Sequence, residues 1–351
     1  MDYRPLGRSD LKVSALCLGS MFWGSRNTEA EGHAQIDRSL AAGINFIDTA
    51  ELYPTAPVIG EKCGETERVI GTWFARTGRR DEVILATKIS GEGAPGARGG
   101  EPVTAAAMHR AVDASLQRLQ TDVIDLYQLH WPNRGSYHFR KYWAYDPATQ
   151  SGVTSRTETR DHIAEVLEAA DALIKAGKIR HLGLSNESAW GTQQFLEIAE
   201  AHGLPRVVGV QNEYSLLCRI FDTDFAELCH QEDVGLLAYS PLAAGLLSGK
   251  YQGGQVPDCS RGAINKGLGG RMTPRAHKAV AAYLEIADGA GLDPNVMALA
   301  WCLTRPFMAS VIFGASTMDQ LENLLKASEV TLSEDVMAAI GAAHKAHPMP
   351  F

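Results

Sequence analysis

The sequence contains no C-x-x-C pair: its six cysteines, Cys17, Cys63, Cys218, Cys229, Cys259 and Cys302, stand far apart. That scatter argues against both a zinc site and a disulfide framework, and predicts reduced, structural thiols. No apolar run approaches the ~20 residues that a membrane-spanning helix needs, so no membrane partner is expected. The opening residues, Met1-Asp2-Tyr3-Arg4-Pro5, meet charge at once and show no apolar stretch with a small-residue cleavage site. The expected compartment is therefore cytoplasmic. There is no Lys/Arg block, and a formal net charge of -8 repels a phosphate backbone, so nucleic acid is not an expected partner. What is present is 45% hydrophobic and 21% charged residues over 351 positions, the composition of a globular protein with a large core. The length lies within the range of barrels with inserted loops and permits one domain spanning 1–351.

Short apolar runs of strand type alternate with longer segments of helical period, the signature of βα units around a parallel sheet. The strand-like runs are Leu16–Gly19, Ile44–Asp48, Val83–Lys88, Ile124–His130, Ile179–Ser185, Val207–Gln211, Gly235–Ser240 and Ser310–Ser316. Helical segments follow each, over Glu29–Ala42, Glu65–Arg76, Thr104–Leu119, Asp161–Ala176, Ala189–His202, Phe221–Asp233, Thr273–Ala290 and Thr317–Ser328. Eight alternations favour closure into a (β/α)8 TIM barrel over an open doubly wound sheet. YRPLGRSDLKVS predicts an N-terminal β-hairpin, and helices near Asn295–Thr304 and Ser333–His344 are extra to the barrel.

Two long excursions, at about 131–160 and 241–272, leave the carboxyl ends of strands, where a barrel carries its active site. The first is rich in aromatics (Trp131, Tyr137, Phe139, Tyr142, Trp143, Tyr145) and suits a substrate wall. The second is rich in glycine and basic residues (Gly245, Gly249, Lys250, Gly253, Gly254, Arg261) and suits a phosphate clamp.

Three strand ends deliver Asp48, Lys88 and His130, and Tyr53 follows in the loop after the second strand. Reducing a carbonyl needs a hydride on one face and a proton for the oxygen, hence an acid that works near neutral pH. Tyrosine, at a reference pKa of ~10, needs a cation beside it; Lys88 supplies one, and Asp48 keeps that lysine ionised in a poorly solvated pocket. His130 then orients the carbonyl oxygen. Taken singly, each has a plainer reading: a rim salt bridge, a surface tyrosine, a satisfied core histidine. Their joint placement on predicted strand ends weakens those readings. The run from Gly91 to Gly96 matches G-x-G-x-x-G after a strand, with Asp113 beyond. It does not open a helix, because Pro95, Gly99, Gly100 and Pro102 keep the chain irregular to about Thr104, so a Rossmann site is rejected.

With GINFIDTAELYP, ILATKIS and IDLYQLHWP in place, the chain resembles the aldo-keto reductases over nearly its whole length, and GSMFWG, KAGKIRHLGLSNESAWG, VQNEYSLLCR and AYSPLAAGLLSGKY resemble its Tas-like branch, which is related to potassium-channel beta-subunit-type reductases. The resemblance implies NADP(H) as cofactor, a small-molecule carbonyl substrate, and Asp48, Tyr53, Lys88 and His130 as a catalytic tetrad. It implies that Ser185, Asn186 and Gln211 hold the nicotinamide carboxamide and that Tyr239 stacks on the ring. Ser240, Leu242, Gly245, Lys250 and Arg261 would grip the phosphates, and Gly314, Ser316, Gln320 and Asn323, in GASTMDQLENL, would close on the adenosine half. Relatives usually carry Glu and Asn three and four residues after that glutamine, where this chain has Asn323 and Leu324.

Trp23 and Trp131 are candidate substrate-pocket residues, although aromatics at a barrel mouth are also ordinary packing. His109, His162, His181 and His230 form no ligand set, and no metal is implied. Three function classes follow: a carbonyl reductase, an NADP(H)-binding sensor or regulatory subunit with slow or no turnover, and a barrel hydrolase. The hydrolase needs paired carboxylates at the mouth, and only Asp48 is well placed. Neither the physiological carbonyl nor the oligomeric state is legible in the sequence.

Overall fold

The computed structural model describes residues 1–55, 60–94, 96–149 and 155–351. A two-stranded antiparallel hairpin, β1 (Tyr3–Pro5) with β2 (Lys12–Ser14), precedes the barrel strands β3 (Leu16–Gly19), β4 (Phe46–Asp48), β5 (Ile84–Ile89), β6 (Ile124–Leu129), β7 (Ile179–Ser185), β8 (Val207–Glu213), β9 (Gly235–Tyr239) and β10 (Met308–Phe313). The last eight close in the order β10-β3-β4-β5-β6-β7-β8-β9, all neighbours parallel. This is the (β/α)8 barrel expected from the alternation of apolar runs and helical segments.

The helices are α1 (Glu29–Ala41), α2 (Glu65–Thr77), α3 (Ala105–Leu119), α4 (Arg156–Lys175), α5 (Ala189–His202), α6 (Asp224–Glu232), α7 (Arg261–Ile264), α8 (Pro274–Gly289), α9 (Pro294–Leu303), α10 (Met318–Leu325) and α11 (Glu334–Ala346). The expected helix over Phe221–Asp233 divides into a 3-10 turn, Ile220–Asp222, and α6. Helix α4 begins five residues before the expected Asp161, because Ser155 caps it. Glu158 N–H donates to Ser155 Oγ at 3.2 Å, and Ser155 N–H donates to a Glu158 carboxylate oxygen at 2.7 Å. This S-x-x-E capping box is a start signal carried by the sequence itself.

Inside the barrel the side chains of the lower strand halves are apolar. Cys17, Phe46, Ala86, Leu126, Leu237 and Ala309 form one buried cluster with Leu6, Leu11 and Val13 of the hairpin. The hairpin thus stoppers the amino-terminal end of the barrel. Its turn requires Gly7 in the left-handed region, φ +55°, where a Cβ would stand 2.3 Å from the Val208 carbonyl oxygen. The larger core lies between the outer strand faces and the helices and includes Trp73, Val112, Leu167 and Trp301.

Candidate active site

Strand side chains alternate between faces with a period of two, so the residues above the apolar plug follow from those within it. Phe46 leads to Asp48, Ala86 to Lys88, and Leu126 to Gln128 and then His130. The strand register sets Asp48 beside Ala86 and Lys88 beside Gln128. A polar layer therefore caps the apolar one at the carboxyl end of the barrel.

Lys88 is completely buried, with Nζ donating to Asp48 Oδ2 at 2.6 Å and to the Thr49 carbonyl at 2.7 Å. The other carboxylate oxygen of Asp48 accepts from Gln211 Nε2 at 2.8 Å and Gln128 Nε2 at 3.2 Å. Lys88 Nζ stands 4.9 Å from the centroid of the Tyr53 ring, and that ring meets the His130 imidazole edge-on at 5.7 Å. All four predicted residues are brought together, with Asp48, Tyr53 and His130 facing a cleft of about 1180 Å³ and Lys88 beneath them.

The electrostatics of this cluster are set by burial and by one cation. Burial pushes the Tyr53 phenol above its ordinary value, and the charge of Lys88 opposes that shift without overcoming it. The same burial pulls Lys88 down, but Asp48 and Tyr53 outweigh it and leave the ammonium above its ordinary value. The lysine is charged and the phenol protonated across the neutral range. Burial, aided by Lys88, holds His130 well below the usual imidazole range, so the ring is neutral. Its Nδ1 is buried without a partner among the described residues, and its carbonyl accepts from Asn186 Nδ2 at 2.9 Å.

A second polar band continues from Gln211. Ser185, its register neighbour on β7, donates through Oγ to the Gln211 carbonyl at 2.8 Å, and Asn186 Nδ2 donates to Ser185 Oγ at 3.1 Å. Asn186 takes a left-handed backbone, φ 53°, and its Oδ1 accepts from the Tyr239 hydroxyl at 2.7 Å. Ser185, Asn186, Gln211 and Tyr239 all line the cleft.

Further out, Ser240, Leu242, Gly245, Lys250 and Arg261 line the cleft together with Gly314, Ser316, Gln320 and Asn323. Arg261, at the Ser260-capped start of α7, lies 5.8 Å from the Phe22 ring and has no carboxylate partner among the described residues. Burial and the neighbouring Arg271 pull its guanidinium down to about 10. Gln320 is turned onto its own loop, where its Oε1 accepts from Ser316 N–H at 2.9 Å. Glu322 pairs outward with Arg38 on α1 and is not aimed at the cleft.

Trp23 does not line the cleft. It is 1% exposed, packed in the core between barrel and helices, with Nε1 donating to Gln35 Oε1 at 3.0 Å. It follows β3, and its ring packs against Gly32 of α1, which draws it away from the mouth. Trp131 does line the cleft, held by Nε1 donating to the Glu92 carbonyl at 3.1 Å. Gly91 makes room for that indole, since a Cβ there would stand 2.3 Å from Trp131 Cδ1; Pro95 of the rejected Gly-rich motif lies outside the described residues. Of the other aromatics in the first excursion only Phe139 faces the cleft. Tyr137 packs edge-on against Tyr145, Tyr142 bonds the carbonyl of Phe351, and Trp143 carries Arg275 over its ring.

Sequence reasoning passed over Gln128, Glu213, Arg140 and Arg271. Gln128 precedes His130 by two, and Glu213 follows Gln211 by two, so period-two alternation marks both as inward. Glu213 accepts from Arg271 Nε at 2.7 Å and pairs with Arg140 Nη1 at 3.2 Å. Nothing local in the sequence marks the two arginines, which lie in long loops.

Among the described residues no helix is long and apolar enough to cross a membrane. A profile of the Aldo/keto reductase family matches residues 15–345. The chain is 43% identical to "Protein tas" of Escherichia coli (strain K12), over all of this chain and 99% of that protein. It is 31% identical to "Uncharacterized oxidoreductase YrpG" of Bacillus subtilis (strain 168), over 96% of this chain and 94% of that one. To "Probable voltage-gated potassium channel subunit beta" of Arabidopsis thaliana it is 30% identical, over 94% and 92%. A closed barrel, a buried lysine–aspartate pair at its carboxyl end and a profile match across nearly the whole sequence lead to one conclusion: this chain is an oxidoreductase of the aldo/keto reductase family, whose members generally use a nicotinamide cofactor.

Proposed function

We propose that the chain is an NADPH-dependent reductase that converts aldehydes or ketones to alcohols, with Tyr53 as the proton donor. The observation that carries the reading is the contact of one buried cation with both groups: Lys88 Nζ is 2.6 Å from Asp48 and 4.9 Å from the Tyr53 ring centroid. A reduced nicotinamide, when bound, supplies the hydride. Tyr53 holds the proton, because burial keeps its phenol neutral, and Lys88 stabilises the phenolate left after transfer. His130, neutral and adjoining Tyr53, orients the carbonyl oxygen by hydrogen bonding. The cleft, at about 1180 Å³, exceeds the ~300 to 1,000 Å³ of common single-ligand pockets and suits a dinucleotide with a small substrate. Ser185, Asn186 and Gln211 are disposed to hold a carboxamide, Tyr239 to stack on the ring, and Ser240, Leu242, Gly245, Lys250 and Arg261 to take the phosphates. Gly314, Ser316, Gln320 and Asn323 face the adenosine end. An unpaired guanidinium on a chain of net charge -8 supports NADPH over NADH. We place the protein in the cytoplasm on the same reading.

The experiment is NADPH oxidation across a panel of aldehydes, ketones and aldoses, with Tyr53→Phe alongside. Turnover should fall about 10² to 10⁴-fold in the Phe variant while NADPH affinity stays nearly intact. A variant that keeps most of its activity refutes the donor assignment. Likeness to a protein named as a channel beta subunit favours a second reading, a cofactor-binding regulatory subunit with slow turnover. Tight NADPH binding with a blank panel selects it.

A further inference from the structure

The cleft carries an excess of positive charge around Glu213. Three guanidinium groups, those of Arg140, Arg261 and Arg271, lie within electrostatic reach of one buried carboxylate, Glu213. Asp48 is neutralised by Lys88, and Asp258, which also lines the cleft, is exposed to solvent. Arg261 belongs with Lys250 on the loop after β9 and is taken up by the cofactor reading. Glu213 balances one of the two remaining charges, with its tighter bond to Arg271 at 2.7 Å against 3.2 Å to Arg140. The charge of Arg140 is left over.

Arg140 lies on the substrate side. It follows His130 on the same excursion, and its neighbour Phe139 meets Trp131 edge-on at 6.2 Å, while Trp131 packs against His130 at 4.9 Å. A continuous wall thus runs from the reacting end of the cleft to the guanidinium. Its presentation is built: Phe139 and Arg140 both take left-handed backbones, φ 60° and 66°, which cost energy in non-glycine residues and persist only where the surroundings enforce them. Gly269 makes room for the group, since a Cβ there would stand 3.2 Å from Arg140 Nη2. The Nε of Arg140 is buried with no hydrogen-bond partner among the described residues, while 17% of the side chain stays exposed, so a ligand in the cleft meets the outer part of the guanidinium.

We propose that the cleft selects a carbonyl substrate that carries a carboxylate, bound at its far end by the guanidinium of Arg140. Arg140 is a binding and specificity residue. The carboxylate makes and breaks no bond: the carbonyl carbon gains the hydride and its oxygen the proton, as for a neutral substrate. The catalytic part of the test rests on the reductase reading above; the binding part does not.

The test compares succinic semialdehyde with its methyl ester under saturating NADPH, in the native chain, Arg140→Gln and Arg140→Lys. The acid should be preferred in kcat/KM by about ten- to a hundredfold, the range of one charge-assisted hydrogen-bond pair. That ratio should collapse toward one in Arg140→Gln and be partly kept in Arg140→Lys, which retains the charge without the fork. In parallel, calorimetry on the NADPH-saturated chain compares 4-hydroxybutyrate with 1,4-butanediol, neither of which can accept a hydride from the reduced cofactor. Preference for the anion that is lost in Arg140→Gln supports the site, even if neither aldehyde is reduced. Equal reduction of acid and ester overturns the proposal and leaves the reductase reading standing. No reduction of either, with no preference in binding, overturns the proposal, and the broader panel above then decides the reductase reading.

Discussion

Replacing Lys88 by methionine removes the charge and keeps the length of the side chain. Lys88 and Asp48 are 0% and 3% exposed, so the substitution leaves a carboxylate in a nearly dry site, with only the Gln128 and Gln211 amides to hold it. Breaking a buried pair from one side costs about 3 to 5 kcal/mol. With an unfolding entropy of ~2.1 cal/mol/K per residue, about 0.7 kcal/mol/K for 351 residues, the Tm should fall by about 4 to 7 °C. Asp48→Asn in the same chain removes the stranded charge, so the double variant should be more stable than the sum of the single losses by about 0.5 to 3 kcal/mol. The kinetic effect has a definite sign. On the proposed reading Tyr53 works in its protonated form, so activity should decline as pH rises through its pKa, which burial already raises against the opposition of Lys88. Without Lys88 the phenol moves higher still, and the alkaline decline should move to higher pH while turnover drops about ten- to a hundredfold. The assays are thermal melts by circular dichroism and a pH profile of kcat/KM for NADPH-dependent reduction. Strictly additive losses in the double variant, or an alkaline limb that stays in place or moves down, refute the coupling.

Two further outcomes are expected. Arg261→Ala should weaken NADPH about ten- to a hundredfold and NADH less, measured as dissociation constants by fluorescence titration; equal losses would assign Arg261 to the pyrophosphate, which both cofactors possess. Trp23→Phe removes the donor to Gln35 and leaves a buried amide oxygen unpaired, a cost of about 1 to 3 kcal/mol, so the Tm should fall by about 1 to 4 °C with substrate KM unchanged; a rise in KM without a change in Tm would return Trp23 to the substrate wall.

The strands and three of the four clustered residues, Asp48, Lys88 and His130, were legible because they follow local rules, whereas Tyr53 lies in a loop and follows none of them. Apolar runs of strand length mark the barrel, and a polar residue at the end of such a run, two positions beyond an inward apolar one, points into the mouth; Asp48 after Phe46 and Lys88 after Ala86 are of this kind. Trp23 was not legible, because whether an aromatic after β3 turns inward or onto α1 is decided by Gly32 and Gln35, side chains of another element. Glu322 was drawn outward by Arg38, which no spacing within GASTMDQLENL reveals. Arg140 and Arg271 meet at Glu213 only because two long loops fold over one strand end, a long-range closure without a short-range signature. The start of α4 was legible in principle, through Ser155 and Glu158, and was missed because the apolar period begins only at Ile163.

The hairpin that stoppers the barrel bears on the chemistry at the opposite end. Leu6, Leu11 and Val13 seal the floor beneath Cys17, Phe46 and Ala86, one residue layer below the lysine–aspartate pair. A charge pair gains strength as water is excluded, so these leucines and this valine act as electrical insulation for a reaction they never touch. Polar residues in the first strands would wet the floor, screen Lys88 from Tyr53 and relax both groups toward their solution behaviour while every residue of the mouth stayed in place. The first fourteen residues thereby set the working voltage of the site.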